Sequence, residues 1–444
     1  MLNKEQCQEL FEKVRRFSAA DETEVLIEGG RSALTRFANN TIHQNAAEEG
    51  LTISVRCVVD GRMARASTNK TDDDSLRRAA EQALQMARQQ PPNPELLPMV
   101  GPESHTGVER YDPATALLTP EDRARAAGNA IRTAEQHKQT AAGIFSNSSV
   151  FQALVNSRGL FAYHCQTHAE FSITMLDQTS TGWAKASSPA ADRIDVRALA
   201  EGASEKALRS ATPREIQPGE YTVILEPAAV LDLVGFLFYD FSATALQDKR
   251  SCFLERLGKK LFADCITLWD DVYHPLQTGA PFDGEGLPRE RVLLVDRGTP
   301  KNLVYARQTA RKCNARPTGH GLPLPSEWGE APLNLVFEGG SHALEQMILS
   351  TDRGILVTRL WYIREVDPYE KVLTGMTRDG TFLVENGKMV GGIRNLRFNQ
   401  SVLKMLANAE MVGPAVRASG EEAFDMVVPA MKVRNFHFTE VTKF

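Results

Sequence analysis

The sequence predicts an α+β fold, with N-terminal α/β modules followed by a C-terminal half rich in antiparallel β-sheet with packed helices. Two observations lead to this prediction. Segments before residue 216 alternate between amphipathic helical patterns and strand patterns of period two. Segments near the C-terminus are mostly alternating strands joined by turn sequences such as Glu385-Asn386-Gly387. Helices packed on mainly antiparallel sheets account for both patterns.

The chain has 444 residues, more than the roughly 250–300 at which a single hydrophobic core stops growing, so several domains are expected. The pattern predicts an N-terminal α/β module (1–90) and a proline-rich connector (91–118). A module of one helix plus a β-meander (119–215) follows, and then a β-rich C-terminal domain (216–444).

The first module begins with a charged helix at about residues 4–17. The segment ETEVLIEGGRSALTRFANNTIHQN predicts two short strands joined through Gly29 and Gly30. LTISVRCVVDGRMARAST predicts a hairpin that turns at its Asp-Gly pair. An amphipathic helix at about 71–90, with three aspartates in its first turn, ends the module.

The second module begins at Thr119, an N-cap residue followed by Pro120 at the first helical position. Alternating strands are predicted from about 144 to 183, and a helix near 195–210 closes the module.

The C-terminal domain opens with VILEPAAVLDLVGF (223–236), a strand that runs through Glu226 and Pro227 into a helix that is apolar nearly all round. GILVTRLWYI and VVPAMKV are similarly rich in large apolar residues. Such segments are buried either within a domain or under a neighbour, so we expect an interface formed mainly after residue 216. The sequence RDG at 378–380 predicts a further strand reversal.

Composition excludes several function classes. A formal net charge of −5 provides no basic footprint, so direct nucleic-acid binding is not expected. The N-terminus carries charges throughout and no apolar run approaches the ~20 residues of a membrane span, which predicts a cytoplasmic protein without a membrane segment. Six scattered cysteines form no C-x-x-C pair and indicate reduced thiols: Cys7, Cys57, Cys165, Cys252, Cys265 and Cys313.

One histidine pair has the spacing of metal ligands. FAYHCQTHAEF contains His164, Cys165 and His168, but polar and apolar residues alternate along it with a period of two. The histidines therefore share one polar strand face while Cys165 points away, and a solvated or groove-lining role is a better interpretation than zinc binding.

Two glycine-rich segments carry further candidates. Asp283 and Glu285 in FDGEGLP are paired carboxylates, interpreted as structural or substrate-lining because the other ligands of a calcium loop are missing. His320 in NARPTGHG lies between two glycines, which fits close backbone approach to a ligand or a plain flexible loop.

Seven blocks together resemble the TldD/PmbA family, whose older label is modulator of DNA gyrase. They occur in family order across about residues 22–440: SALTRFANNTIHQN, VILEPAAV, GAPFDGEGLP, ARPTGHG, GILVTRLWY, ENGKMVGGIRNLRFNQSVLKML and VPAMKV. The resemblance implies a zinc-dependent peptidase that works as an assembly of TldD and PmbA (TldE) chains.

The catalytic TldD-type chain carries an H-E-x-x-x-H motif at this strand-to-helix junction, and a later cysteine completes its zinc site. Here the motif reads L-E-P-A-A-V, so Leu225 and Val230 replace the histidines, and no cysteine follows Cys313. The resemblance therefore implies no metal and no cofactor in this chain, with Glu226 as the remnant of a catalytic motif. A helix N-terminus is reason enough for a carboxylate before Pro227.

The function implied is that of a zinc-free PmbA (TldE)-type subunit in a cytoplasmic peptidase complex. It would pair with a TldD-type catalytic subunit or form a homodimer, and hold unfolded peptides by β-augmentation. One alternative is a stand-alone hydrolase that uses His320 with Asp283 or Glu285. A third hypothesis, a regulatory binding protein, rests on the older family label alone.

Overall fold

The computed structural model describes residues 1–442 and places its strands in two sheets, one of six strands and one of eleven. The predicted α+β class is confirmed, because most neighbouring strands are antiparallel and helices pack on both sheets. Across residues 1–442, none of the helices combines the length and the apolar character that crossing a lipid bilayer requires.

The first sheet is built from both N-terminal modules. Its strands are β1 (Glu22–Ala38), β2 (Thr41–Val59), β3 (Arg62–Thr68), β4 (Thr140–Asn156), β5 (Phe161–Leu176) and β6 (Thr181–Ser188). Their order is β3-β2-β1-β4-β5-β6, with every neighbouring pair antiparallel. Because β1 pairs with β4, the segments on either side of the connector 91–118 form one continuous sheet.

Helices cover one face of this sheet. They are α1 (Lys4–Phe17), α2 (Asp73–Gln89), α3 (Pro113–Ala116), α4 (Pro120–Gln136) and α5 (Val196–Arg209), and a short 3₁₀ turn spans Ala191–Arg193. The side chains of Asn3, Asp72, Thr119 and Asp195 accept hydrogen bonds from first-turn N–H groups and so define the starts of the four longer helices. The opposite face of the sheet points toward the C-terminal domain.

The predicted turn at Gly29 and Gly30 is wrong. β1 continues through both glycines, and the chain reverses at Asn39 and Asn40, whose φ angles are 51° and 58°. Asparagine tolerates this left-handed region, which a tight hairpin turn requires. Gly30 instead allows β1 and β4 to approach each other closely, because a β-carbon there would lie 2.2 Å from the carbonyl oxygen of Ser149 on β4.

The second sheet contains β7 (Gly219–Leu225), β8 (Leu268–Asp270), β9 (Val292–Asp296), β10 (Thr299–Pro300), β11 (Leu335–Phe337), β12 (Arg353–Asp367), β13 (Val372–Glu385), β14 (Lys388–Gly392), β15 (Leu396–Ser401), β16 (Ala409–Ala418) and β17 (Met426–Val441). Its helices are α6 (Pro227–Val234), α7 (Ala243–Gln247), α8 (Arg307–Lys312), α9 (Leu344–Leu349) and α10 (Val402–Ala407), with a 3₁₀ segment at Gly235–Phe241.

Five of these strands form a closed ring. β7 pairs in parallel with β12 and antiparallel with β17, and the ring is completed through β13 and β15. Helix α6 packs against β12 and β17, and its Val230 and Leu231 are completely buried. Most of the large apolar side chains in the segments from which we expected an interface are thus buried within the chain and no longer argue for a partner, and Tyr362 is the exposed exception.

Of the two strand reversals predicted for this domain, one is confirmed and the other is wrong. The reversal at Asn386-Gly387 is confirmed, with φ angles of 49° and 73° between β13 and β14. The predicted reversal at 378–380 is wrong, because β13 runs through it as a bulge with Asp379 at φ 52°. Asp379 accepts hydrogen bonds from Arg359 and Thr181, and these contacts hold the bulge within the strand.

We predict that Gly30→Ala lowers the free energy of unfolding by about 1–3 kcal/mol, because the added methyl group meets backbone that cannot move aside. Gly50→Ala, on the neighbouring strand, is the matched control, since no described atom lies within 4 Å of that β-carbon position. Its effect is expected to stay near 0.5 kcal/mol. Urea denaturation of both variants tests the contrast, and equal losses would contradict it.

Candidate functional site

The family's zinc motif falls on side chains that cannot bind a metal. Leu225 ends β7 and Val230 lies in α6, and both are completely buried in the apolar core. Neither side chain has a lone pair to donate. Across residues 1–442, no group of three His, Cys, Asp or Glu side chains is placed to hold a metal ion. Zinc therefore does not fit this junction.

Glu226 remains at the junction as part of an ion pair. It is the N-cap residue of α6, yet within the described chain its side chain makes no capping hydrogen bond. Lys206 of α5 instead donates to its Oε2 atom at 2.7 Å, and Thr358 of β12 donates to Oε1 at 3.2 Å. Glu226 does lie at the helix N-terminus, as the sequence suggested, and it also links the helices of the first sheet to the second sheet.

Asp283 shapes the loop that follows β8. Its Oδ1 atom accepts from the backbone N–H groups of Glu285 and Leu287, both at 2.9 Å, and Oδ2 accepts from Gly321 at 2.8 Å. Burial raises the pKa of Asp283, while Arg289 and the three N–H groups act in the opposite direction. The carboxylate holds two glycine-rich segments together.

Glu285 is buried beside Asp283 and contacts Arg307. The backbone N–H of Arg307 donates to Oε1 at 3.2 Å, and its guanidinium lies 3.4 Å from Oε2. Burial, followed by the neighbouring charge of Asp283, raises the pKa of Glu285 to about 7. The two carboxylates do lie together, as their spacing suggested.

His320 is completely buried and has a different partner from the one proposed. Its Nε2 atom donates to Asp270 at 2.9 Å, and Nδ1 lies 3.0 Å from the hydroxyl of Thr318. Although burial opposes it, His320 lowers the pKa of Asp270 below its usual value. The hypothesis that His320 works with Asp283 or Glu285 is not realised in this geometry, because both ring nitrogens are already occupied.

A cleft of about 1050 Å³ separates the uncovered face of the first sheet from the loops of the second domain. Asp283 lines this cleft, whereas Glu285 and His320 lie behind its wall. The cleft also receives side chains that the sequence did not single out, namely Arg289, Arg417 and Asp425. They belong to loops or strand ends without a recognisable motif.

The strand register shows which residues form the floor of the cleft. Gly50, Gly30, Val150 and Gln166 are paired in one row across β2, β1, β4 and β5. Paired residues share a face of the sheet, so the two glycines leave a shallow channel in the floor. On β5, His164 and His168 flank Gln166 on the same face, which confirms the predicted strand and its groove-lining histidines.

His164 and Arg289 each present an unsatisfied atom to the cleft. His164 is only 8% exposed, and within residues 1–442 its Nε2 atom has no hydrogen-bond partner. The same holds in the described chain for the buried Nη1 atom of Arg289. Burial lowers the pKa of His164, and the nearby Arg110 acts in the same direction.

His168 belongs to a network centred on Asp425. Its Nε2 atom lies 3.3 Å from Asp425 Oδ2, and the same oxygen accepts from Ser187 at 2.6 Å and Arg417 at 2.8 Å. Although burial opposes it, the contacts with His168 and Arg417 hold the pKa of Asp425 well below its usual range. The serine contacts the aspartate and not the histidine, which is not the order of a nucleophilic triad.

We predict that His320→Gln lowers the free energy of unfolding by about 3–5 kcal/mol, because it leaves Asp270 as a buried charge without its partner. Glu226→Gln breaks a partly exposed pair and is the control, with an expected loss of about 0–1 kcal/mol. Chemical denaturation at pH 7 measures both. A small effect at His320 would mean that the pair is not stabilising.

A second prediction concerns pH. The pKa of Glu285 is raised from 4.5 to about 7, so the folded chain keeps a proton that the unfolded chain releases. This group makes stability fall as pH rises from about 4.5 to about 7. Glu285→Gln removes that fall, so its stability relative to the parent should improve between pH 5 and pH 8. The partly exposed Glu290, changed to Gln, controls for loss of charge, and parallel curves for Glu285→Gln and the parent would refute the prediction.

Comparison with known proteins agrees with the fold and with the family resemblance. Three family models match: PmbA/TldA metallopeptidase domain 1 over residues 23–87, the central domain over 113–211 and the C-terminal domain over 218–440. The chain is 23% identical to Metalloprotease PmbA of Escherichia coli O157:H7 over 393 residues, covering 84% of this chain and 83% of that protein. It is 27% identical to a Metalloprotease TldD homolog of Buchnera aphidicola, covering 54% and 50%.

Two crystal structures share the fold. TldE from Thermococcus kodakarensis superimposes with a TM-score of 0.88 at 22% identity, covering 98% of this chain and all of that one. A proposed modulator of a DNA gyrase from Thermotoga maritima gives the same TM-score and the same coverage at 19% identity. The C-terminal family model alone spans half of the chain, and all three models occur in order. The chain therefore belongs to the TldD/PmbA family of metallopeptidase-related proteins.

Proposed function

We propose that this chain is the zinc-free PmbA (TldE)-type subunit of a cytoplasmic peptidase complex that degrades or processes unfolded peptides. The proposal rests above all on Leu225 and Val230, which are completely buried where the family's zinc-binding histidines lie. A metal introduced there would replace core packing. Zinc and the general base are then supplied by a TldD-type catalytic subunit.

The role of this chain in the complex is to hold the peptide. The cleft supports this role, because it is open to solvent and lined by polar and charged side chains as well as apolar ones. Its floor is a sheet face and not a strand edge, so side-chain contacts would hold a peptide there. Strand pairing of the kind expected from the sequence would need an edge outside the cleft.

The stand-alone hydrolase has less support. His320, its proposed base, is completely buried and uses both ring nitrogens within the chain. A general base needs to reach the proton that it removes. The regulatory binding protein is supported only by names of related proteins.

We predict that the purified chain contains no stoichiometric zinc and no peptidase activity, and that activity appears when a TldD-type chain with an intact H-E-x-x-x-H motif is added. Elemental analysis and cleavage of an unfolded peptide, with each chain alone and both together, measure this. One tightly bound zinc per chain, or activity of this chain alone, would refute the proposal.

Glu226→Gln is expected to leave the activity of the assembled complex nearly unchanged, because Glu226 is engaged with Lys206 and the general base belongs to the partner. The corresponding glutamate of the partner, changed to Gln, is the control. A loss of ~10²-fold or more with Glu226→Gln, the usual effect of removing a general base, would place this residue in the chemistry.

We also propose that the chain forms a dimer, with a TldD-type subunit or with itself, through residues after about 216. Tyr362, Val366 and Tyr369 near the end of β12 are 54%, 62% and 50% exposed and form the kind of apolar surface that such a contact uses. Light scattering at tens of micromolar tests it. A monomer mass near 49 kDa would refute the homodimer, and no increase on adding a TldD-type chain would refute the heterodimer as well.

A further inference from the structure

The β5 end of the cleft contains two nitrogen atoms that have no partner in the described chain. His164 Nε2 comes from the floor, and Arg289 Nη1 comes from the loop that forms the facing wall. An unsatisfied buried polar atom costs about 1–3 kcal/mol, so two of them beside one cavity need an explanation. Arg289 Nη1 is a donor, and His164 Nε2 is a donor in the Nε2-protonated tautomer of the neutral ring. A ligand that accepts hydrogen bonds provides one.

The charges around these two nitrogen atoms indicate which kind of ligand fits them. Arg289 is the arginine of this wall that keeps a free N–H group, because Arg417 is already engaged by Asp425. Asp283 also lines the cleft, but its oxygens accept three backbone N–H groups, so it is satisfied without the Arg289 side chain. The charge of Arg289 acts on the buried Asp283 and Asp270, but its Nη1 atom has no hydrogen-bond partner within residues 1–442 and remains a donor for a ligand.

The opposite end of the cleft has the opposite character. Glu28 on β1 and Glu48 on β2 line it, two and three strands away from β5 respectively. The cleft therefore has an acidic end and an end with histidine and arginine, and the row that contains Gly30 and Gly50 runs across the floor between them. An extended segment with a negative group at one end matches this polarity.

We propose that His164 and Arg289 bind a carboxylate of a peptide that lies in the cleft, an inference that rests on the proposed peptide-holding function. Arg289 supplies charge and the planar donor geometry that suits carboxylates, and His164 supplies a further donor from the floor. The carboxylate is either the C-terminus of the peptide or an acidic side chain. Both sources present the same group to the two donors.

Three short peptides distinguish the sources: pentaalanine as the free acid, pentaalanine amide, and acetyl-Ala-Ala-Asp-Ala-Ala amide. Binding is measured by calorimetry to this chain alone and to its complex with a TldD-type chain whose catalytic glutamate is changed to Gln. We expect a peptide with a carboxylate to bind at least about 10-fold more tightly than the neutral amide, the usual effect of a charged hydrogen bond. Whichever acid binds more tightly identifies the source.

Variants of His164 and Arg289 test whether these two residues cause the preference for a carboxylate. Arg289→Gln removes the guanidinium and its charge, and His164→Leu removes the imidazole, so each should reduce the preference for the acid over the amide roughly 10-fold. Arg31→Gln removes a positive charge from the helix-covered side of β1, next to the cleft floor, and is the matched control for a general charge effect. Circular dichroism and melting temperature verify that each variant folds, and His164→Gln, which restores a donor, should recover part of the preference.

The outcomes separate this inference from the function on which it rests. Equal binding of all three peptides would overturn the carboxylate site and leave peptide holding intact. An absence of binding by any peptide, alone or in the complex, would overturn both. An equal loss in Arg31→Gln and Arg289→Gln would show a general charge effect and would also overturn the assigned site.

Discussion

Closure of the C-terminal sheet by β7 is the constraint on which the rest of the structure depends. β7 pairs with β12 on one side and β17 on the other, so both of its edges are satisfied. The closed ring fixes the direction in which Leu225 points and the place where α6 begins. At this junction the side chains of Leu225 and Val230 fill the core.

The same junction joins the two halves of the chain. Lys206, from the helix that covers the first sheet, is paired with Glu226 at the end of the ring. One strand further round, Arg359 and Asp379 form a buried pair that also receives the hydroxyl of Thr181 from β6. Buried charges are tolerated because each is paired and hydrogen-bonded. The carboxylate of Glu226 is thus part of an interdomain contact.

The cleft follows from how these contacts position the two sheets. Helices cover one face of the first sheet, and the loops of the second domain approach the other without filling it. The Asp283 hydrogen bonds and the His320–Asp270 pair keep those loops in one conformation. The result is a cavity whose walls are fixed by buried polar groups while two nitrogen atoms remain free for a ligand within the described chain.

Part of the site was predictable from local pattern. A period of two along β5 was enough to place His164 and His168 on one face, and the side chains of Leu225 and Val230 have no lone pair for zinc. The glycines around His320 fitted either close backbone approach to a ligand or a plain flexible loop. Arg289 carried no signal, because one arginine beside a proline has no pattern that separates it from a surface residue.

The sequence by itself determined the helix starts, the turn at Asn386-Gly387, the α+β class and the family, because these depend on residues within a few positions or on ordered blocks. Only the tertiary structure decided that Gly30 lies inside a strand and that His320, 50 residues from Asp270, pairs with it. The physical reason is the same for both. Packing against distant segments selects among conformations that local propensity leaves nearly equal in free energy.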